Sequence, residues 1–204
     1  MSFILCIVGG SGSGKTSLAK ELLSHYQNAT LLPLDNYYKD RPDLSLEEKA
    51  RLNYDSPATL DGDLFEKHLN ALKNGEAIEM PLWDFASHSR KAERKHVEPS
   101  PLIIVDGILA LRVVEGEVYD YRIFVDADSD TRLARRLLRD TKERGRTPES
   151  VIEQYVTTVK PMHLRYVEPC RYEADFIFHN DKNGKLDREE LAVLEAKLDH
   201  FFAE

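Results

Sequence analysis

Eight consecutive residues carry the clearest chemistry in the chain: Gly9, Gly10, Ser11, Gly12, Ser13, Gly14, Lys15 and Thr16, with Ser17 next. They fit G-x-x-x-x-G-K-[ST] at each fixed position, after an apolar run and before a helical pattern, which is the setting this motif requires. Glycines let main-chain N–H groups converge on phosphate oxygens beside a helix N-terminus that favours anions. Lys15 has the reach for β- and γ-phosphates, and the Thr16 hydroxyl suits Mg²⁺. The dinucleotide pattern G-x-G-x-x-G is not matched, so the loop points to a nucleoside triphosphate. The loop alone does not separate a kinase from a GTPase or a motor.

Three carboxylates stand in suggestive places. Asp35 follows a short apolar run and precedes Asn36-Tyr37-Tyr38-Lys39. In parallel sheets ligands gather at the carboxyl ends of strands, where an aspartate can take a proton from a hydroxyl or help hold a metal. Asp106 ends the apolar run Leu102–Val105 and is placed to support Mg²⁺ directly or through water. A turn or cap aspartate is the lesser alternative for both. Asp55, between Tyr54 and Ser56-Pro57, has on spacing alone no role beyond a loop.

Seven basic and two acidic side chains between Arg132 and Arg146 leave a local excess of +5 in a chain of net charge −8. At helical spacing Arg132, Arg136 and Arg139 share one face. Arg132 and Arg135 read as a solvated face opposite Leu133, Leu137 and Leu138. Arg139, Arg144 and Arg146 read as a phosphate-closing lid, because guanidinium groups match phosphate oxygens and a mobile segment excludes water. Trp83, Phe85 and His88 form an aromatic–histidine segment suited to a planar heterocycle, or to ordinary hairpin packing.

The elements that must position these groups alternate. Strands are expected at Phe3–Val8, Thr30–Leu34, Leu102–Val105, Tyr121–Val125 and Ala174–Phe178. Helices are expected at about Thr16–Ser24, Asp61–Asn74, Asp130–Thr141, Glu149–Val159 and Asp187–Phe202, and Ser45–Glu48 looks like a capping box. Such alternation implies an α/β fold with a parallel sheet covered by helices on both faces. A length of 204 residues suits one domain over 1–204, with a hairpin excursion at about 77–98 and a lid at about 140–148. The net charge disfavours a nucleic-acid-coating role. Two cysteines cannot build a disulfide framework, and no apolar run approaches a membrane span or a signal peptide, so a cytoplasmic protein with no membrane partner is expected. Histidines and cysteines show no close zinc-ligand pairing.

Taken together the motifs resemble the uridine kinase (uridine–cytidine kinase) family. The resemblance runs from Gly9–Thr16 through Leu34–Lys39, Asn53–Pro57, Asp84–Arg90, Asp106–Leu109, Arg135–Asp140, Glu143–Arg146, Gln154-Tyr155 and Val159–Pro161, reaching about Phe178. It implies a P-loop kinase that moves the γ-phosphoryl of ATP or GTP, with Mg²⁺, to the 5′-hydroxyl of uridine or cytidine. It further implies Asp35 as base and Asp55 on the ribose hydroxyls with Arg136 and Gln154. Tyr38, Tyr54, Trp83 and Phe85 are implied around the nucleoside, His88 on the pyrimidine edge, and Arg139, Arg144 and Arg146 at the phosphates. A homotetramer and feedback inhibition by pyrimidine triphosphates are implied as well. The chain departs from the family at Trp83, where a tyrosine is usual, at Asp106, where many members have glutamate, and at His179-Asn180-Asp181, where an Arg-Gly pair is usual. These departures leave open uridine against cytidine and ATP against GTP. Two other readings stand beside this one: a kinase of the same fold acting on another small alcohol, and a nucleotide-dependent regulatory protein.

Overall fold

A computed structural model describes residues 2–114, 118–182 and 186–202. The chain runs β1 (Phe3–Gly9), α1 (Lys15–His25), β2 (Ala29–Pro33), α2 (Leu46–Ala50), α3 (Gly62–Lys73), β3 (Ile78–Asp84), β4 (Ser89–Val97), β5 (Leu102–Asp106) and α4 (Ala110–Val113). It continues with β6 (Tyr121–Asp126), α5 (Ser129–Glu143), α6 (Pro148–Gln154), α7 (Lys160–Met162), β7 (Phe176–His179) and α8 (Arg188–Phe202). Five strands form a parallel sheet in the order β2-β5-β1-β6-β7. β3 and β4 pair antiparallel in a separate sheet, with a register break between Pro81 and Trp83.

The apolar composition of β1 explains its central place, since a strand buried on both faces has no polar side to offer water. Its residues alternate between two cores as the pleat dictates. Ile4, Cys6 and Val8 face the core shared with α3 and the β3–β4 hairpin, while Leu5 and Ile7 face the core built with α1 and α8. The hairpin's Ile78, Met80, Trp83 and Val97 are buried in the first of these. Each strand of the main sheet lies within two residues of its sequence expectation.

Phe65 of α3 is fully buried and meets Tyr37 edge-on at 4.8 Å. Tyr37 belongs to the 3₁₀ turn Leu34–Tyr37 that carries Asp35. Phe65→Ala therefore removes packing from directly behind the turn. We expect a loss of about 3–5 kcal/mol, read as a fall in Tm of roughly 6–20 °C by thermal denaturation.

Two sequence expectations are corrected. The helix expected to stop at about Val159 stays helical through Pro161. π turns at Tyr155–Val159 and His163–Val167 flank α7, and a 3₁₀ segment, Glu168–Glu173, follows. Local widening of a helix relieves the clash between a proline ring and the preceding turn. The second correction concerns α5. Its inward stripe is charged, not apolar: Arg132, Arg136 and Asp140 are buried at i, i+4 and i+8, whereas Leu138 is exposed. Arg132 and Arg135 are thus not a solvated face. They pack against the glycine loop, whose main-chain carbonyls need donors that leucine cannot supply.

Candidate active site

Parallel pairing aligns the carboxyl ends of three strands at one edge. Asp106 sits opposite Ile7 on β1 and opposite Pro33 on β2. The loop from Gly9 and the turn bearing Asp35 therefore open beside Asp106, at the edge where parallel sheets bind ligands. Gly14 caps α1 in the left-handed region, with φ 102°, a conformation that favours glycine. Asn180 packs where a Gly14 side chain would extend, and its Nδ2 donates to Ser13 O at 2.7 Å. Arg132 lies against Gly10 and donates from Nε to Ala127 O at 3.0 Å. Arg135 Nη1 reaches Ser13 O at 3.3 Å. The loop is thus braced from below by three polar side chains and keeps its upper surface open.

Lys15 Nζ donates to Gly10 O at 3.0 Å. Burial pushes its pKa down, and the charges of Asp106 and Asp35 oppose that fall. Thr16 Oγ1 donates to Asp106 Oδ2 at 2.6 Å. A hydroxyl, a carboxylate beside it and the nearby Asp35 make an all-oxygen donor set, which suits a hard cation such as Mg²⁺. Among the described residues there is no group of three or more His, Cys, Asp or Glu placed to hold a metal. That sparse set fits a cation that takes its remaining ligands from phosphate and water.

Asp35 has its pKa raised, first by burial and then by the like charge of Asp106; Lys15 and Arg144 pull the other way. The Tyr38 hydroxyl lies 3.3 Å from Asp35 Oδ1 and 3.2 Å from Tyr54 O. Its single proton serves one of these acceptors at a time. Arg90 fixes this turn to the hairpin, donating from Nε to Tyr38 O at 2.9 Å and from Nη2 to Asp61 Oδ2 at 2.8 Å. Asn36 Oδ1 accepts the Trp83 main-chain N–H at 3.1 Å.

The far end of the cavity is built by the hairpin and the segment around Asp55. Asp84 shapes the hairpin turn, accepting from Ala86 N at 3.0 Å and Ser87 Oγ at 2.7 Å. His88 adopts φ 48° and stacks on Tyr54, with ring centres 5.3 Å apart and planes 13° from parallel. Burial lowers the His88 pKa, which favours the neutral ring with one donor and one acceptor nitrogen. Trp83 is buried against Tyr38 at 5.3 Å, whereas Phe85 is exposed beneath the Arg144 guanidinium at 5.3 Å. Burial raises the Asp55 pKa, and the nearby Arg136 charge counters it. Arg136 donates to Ser11 Oγ at 2.8 Å and to Gln154 Oε1 at 2.7 Å. Arg146 also reaches Gln154 and donates to Ser150 O at 3.0 Å.

One cavity of about 1050 Å³ joins the two ends. Lys15, Thr16, Asp35 and Asp106 line it together with Tyr38, Tyr54, Asp55, Trp83, Phe85 and His88. Arg136, Arg139, Arg144, Arg146 and Gln154 close its helical wall, and Ser11, Gly12 and Gly14 form the loop side. Gly9, Gly10 and Ser13 lie beneath that lining, and Ser17 is on the exposed side of α1. Sequence reasoning missed Asn180 and Asp140 and misread Arg132 and Arg135. Only the charge excess of the 132–146 segment signalled any of them, because bracing contacts leave no motif.

The model of the Phosphoribulokinase / Uridine kinase family matches residues 4–186. The chain is 46% identical to the uridine kinase of Halobacterium salinarum, over 90% of this chain and 82% of that protein. It is 42% identical to the uridine kinase of Brevibacillus brevis, over 98% of this chain and 94% of that protein. Among solved structures it resembles phosphoribulokinase from Rhodobacter spheroides, with a TM-score of 0.66 and 15% identity over 87% of this chain and 70% of that one. It also resembles D-glycerate 3-kinase from Cryptococcus neoformans, with a TM-score of 0.60 and 18% identity over 81% and 78% of the two chains. A family match across nearly the whole chain agrees with a parallel sheet that opens on a phosphate loop, and the chain belongs to the phosphoribulokinase/uridine kinase family as a P-loop kinase.

Proposed function

We propose that this kinase transfers the γ-phosphoryl group of ATP or GTP to the 5′-hydroxyl of uridine or cytidine. The observation that carries the reading is that one continuous cavity holds both sets of groups. Triphosphate-type groups at Lys15, Thr16 and Asp106 and heterocycle-type groups at Tyr54 and His88 line it together, and Asp35, beside the charges of Lys15 and Asp106, is joined to the Tyr54 segment through the Tyr38 hydroxyl. The names of the bacterial and archaeal relatives support a nucleoside acceptor.

Thr16 and, through water, Asp106 would hold Mg²⁺, with Asp35 as a further ligand. When bound, the ion would supply neutralisation of triphosphate charge. Asp35 accepts the 5′-hydroxyl proton at a carboxylate oxygen, a role its raised pKa favours. Lys15, Arg139, Arg144 and Arg146 offset charge on the transferred group. Asp55, with Arg136 and Gln154, grips the ribose hydroxyls, while His88 reads the pyrimidine edge and Tyr54 and Phe85 cover its faces. Such catalysis is positioning and electrostatics.

A coupled assay of nucleosides against ATP and GTP tests the reading. Turnover with uridine or cytidine is the expected result, and none with any nucleoside sinks it. Arg136→Ala separates the two ends. It should raise the nucleoside KM by about tenfold or more, a loss in the range of a charge-assisted hydrogen bond, and move the donor KM less. Equal shifts in both would remove Arg136 from the ribose.

A further inference from the structure

Asp140 has no exposed surface and is surrounded by arginine. Its Oδ1 accepts from Arg139 Nε at 2.8 Å and lies 2.8 Å from Arg139 Nη2 and 3.6 Å from Arg144 Nε. Its Oδ2 faces Arg136 Nε at 3.4 Å. Both of these last atoms are buried, and neither has a hydrogen-bond partner. The Asp140 main-chain carbonyl accepts from Arg146 N at 3.1 Å, which ties the following loop to the same residue.

Asp140 itself does not line the cavity, but Arg136 at its Oδ2 and Arg139 and Arg144 at its Oδ1 do. On the Oδ2 side, Arg136 bonds Gln154 and Ser11, and its charge acts on Asp55. On the Oδ1 side, the charge of Arg139 acts on Lys15 and also reaches Asp55, and that of Arg144 acts on Asp35. One negative charge holds three guanidinium groups, so positive charge is left over for ligand anions. Buried polar groups strongly favour being bonded. The facing pair Arg136 Nε and Asp140 Oδ2 is therefore a bond poised to form within a small movement.

We propose that Asp140 is a positioning residue that couples nucleoside binding to triphosphate binding. Nucleoside hydroxyls drawing on Arg136, and phosphates drawing on Arg139 and Arg144, pull the two sides of one carboxylate into register. Completion of the Arg136–Asp140 bond then makes each ligand hold the other more tightly. The inference rests on the proposed nucleoside kinase activity. Linkage requires the effect to be reciprocal.

Calorimetric titration tests it on the full chain. Uridine is titrated alone and in the presence of Mg²⁺ with the non-hydrolysable imido analogue of ATP, and the order is then reversed. The wild-type protein should show at least about fivefold tightening, equal in both directions. In Asp140→Asn, which keeps the shape and loses the charge, the factor should fall to near one. Arg136→Lys keeps a charge and loses Nε; its factor should fall as well, whatever the stability of the asparagine variant. A merely structural Asp140 would weaken each ligand and leave the factor unchanged. A wild-type factor of one, or an undiminished factor in folded Asp140→Asn, overturns the coupling and leaves the kinase reading intact. Absence of both nucleoside binding and turnover overturns that reading and the coupling with it.

Discussion

Asp35→Asn should lower turnover with uridine by about 10²–10⁴-fold, the range over which a positioned base contributes, while the uridine Kd changes little. The amide keeps the shape of the side chain but cannot take a proton at neutral pH. A base must be ionised to work, and the Asp35 pKa is raised by burial and by Asp106. In the metal-free protein the Asp35 carboxyl should therefore ionise above the ordinary carboxylate value of about 3.9, a step that NMR titration reads and that should vanish in the variant. Stability should move the opposite way. A carboxyl whose folded pKa exceeds its unfolded value binds protons more readily when folded, so its ionised form at neutral pH works against the fold. That penalty fades as pH falls through the folded pKa. Asp35→Asn should thus melt above wild type at pH 7, and the gap should shrink toward acid. Turnover near wild type would remove Asp35 from the role of base.

Lys15→Ala should lower turnover by about 10²–10³-fold, the cost of deleting one preorganised stabiliser of developing charge, and should raise the triphosphate KM. The ammonium is buried and already aimed across its own loop at Gly10 O, 3.0 Å away. Its desolvation is partly offset by Asp106 and Asp35. Lys15→Arg should fail almost as badly, because a planar fork does not fit the niche of a point charge. Steady-state kinetics with each ligand varied in turn check both variants. Loss of triphosphate affinity with turnover preserved at saturation would mean that Lys15 binds the ground state and does nothing more.

Much of this arrangement was legible in the chain itself. A glycine loop after the apolar run Phe3–Val8 has few structural meanings, and the alternation of strand and helix patterns dictates a parallel sheet. Asp106 could be placed because it ends a strand and Asp35 because it follows one closely, and strand ends in such a sheet converge on one edge. Asp55 is different. Its loop position has no periodicity, so only tertiary packing, or resemblance to relatives, brings it to Arg136. The inward face of α5 was illegible for another reason. Amphipathic reasoning sends leucine inward and arginine outward, and here the neighbour of the helix is a phosphate loop and not an apolar sheet. The course of the backbone through Pro161 was hidden likewise, since proline ordinarily ends a helix and the compensating π turns carry no sequence mark.

The hairpin of β3 and β4 has a consequence for how such a protein changes over generations. Its strands pair only with each other, yet Ile78, Met80, Trp83 and Val97 root it in the common core, while Phe85 and His88 at its turn project toward the cavity. Trp83 belongs to both sets, since it is buried in the core and also lines the cavity. Under the proposed function, substitutions at Phe85 and His88 should retune which acceptor is admitted without shifting the strand register that sets Thr16 against Asp106. On that reading donor chemistry rests on the frame of the parallel sheet, and acceptor choice on a turn that the frame does not depend on.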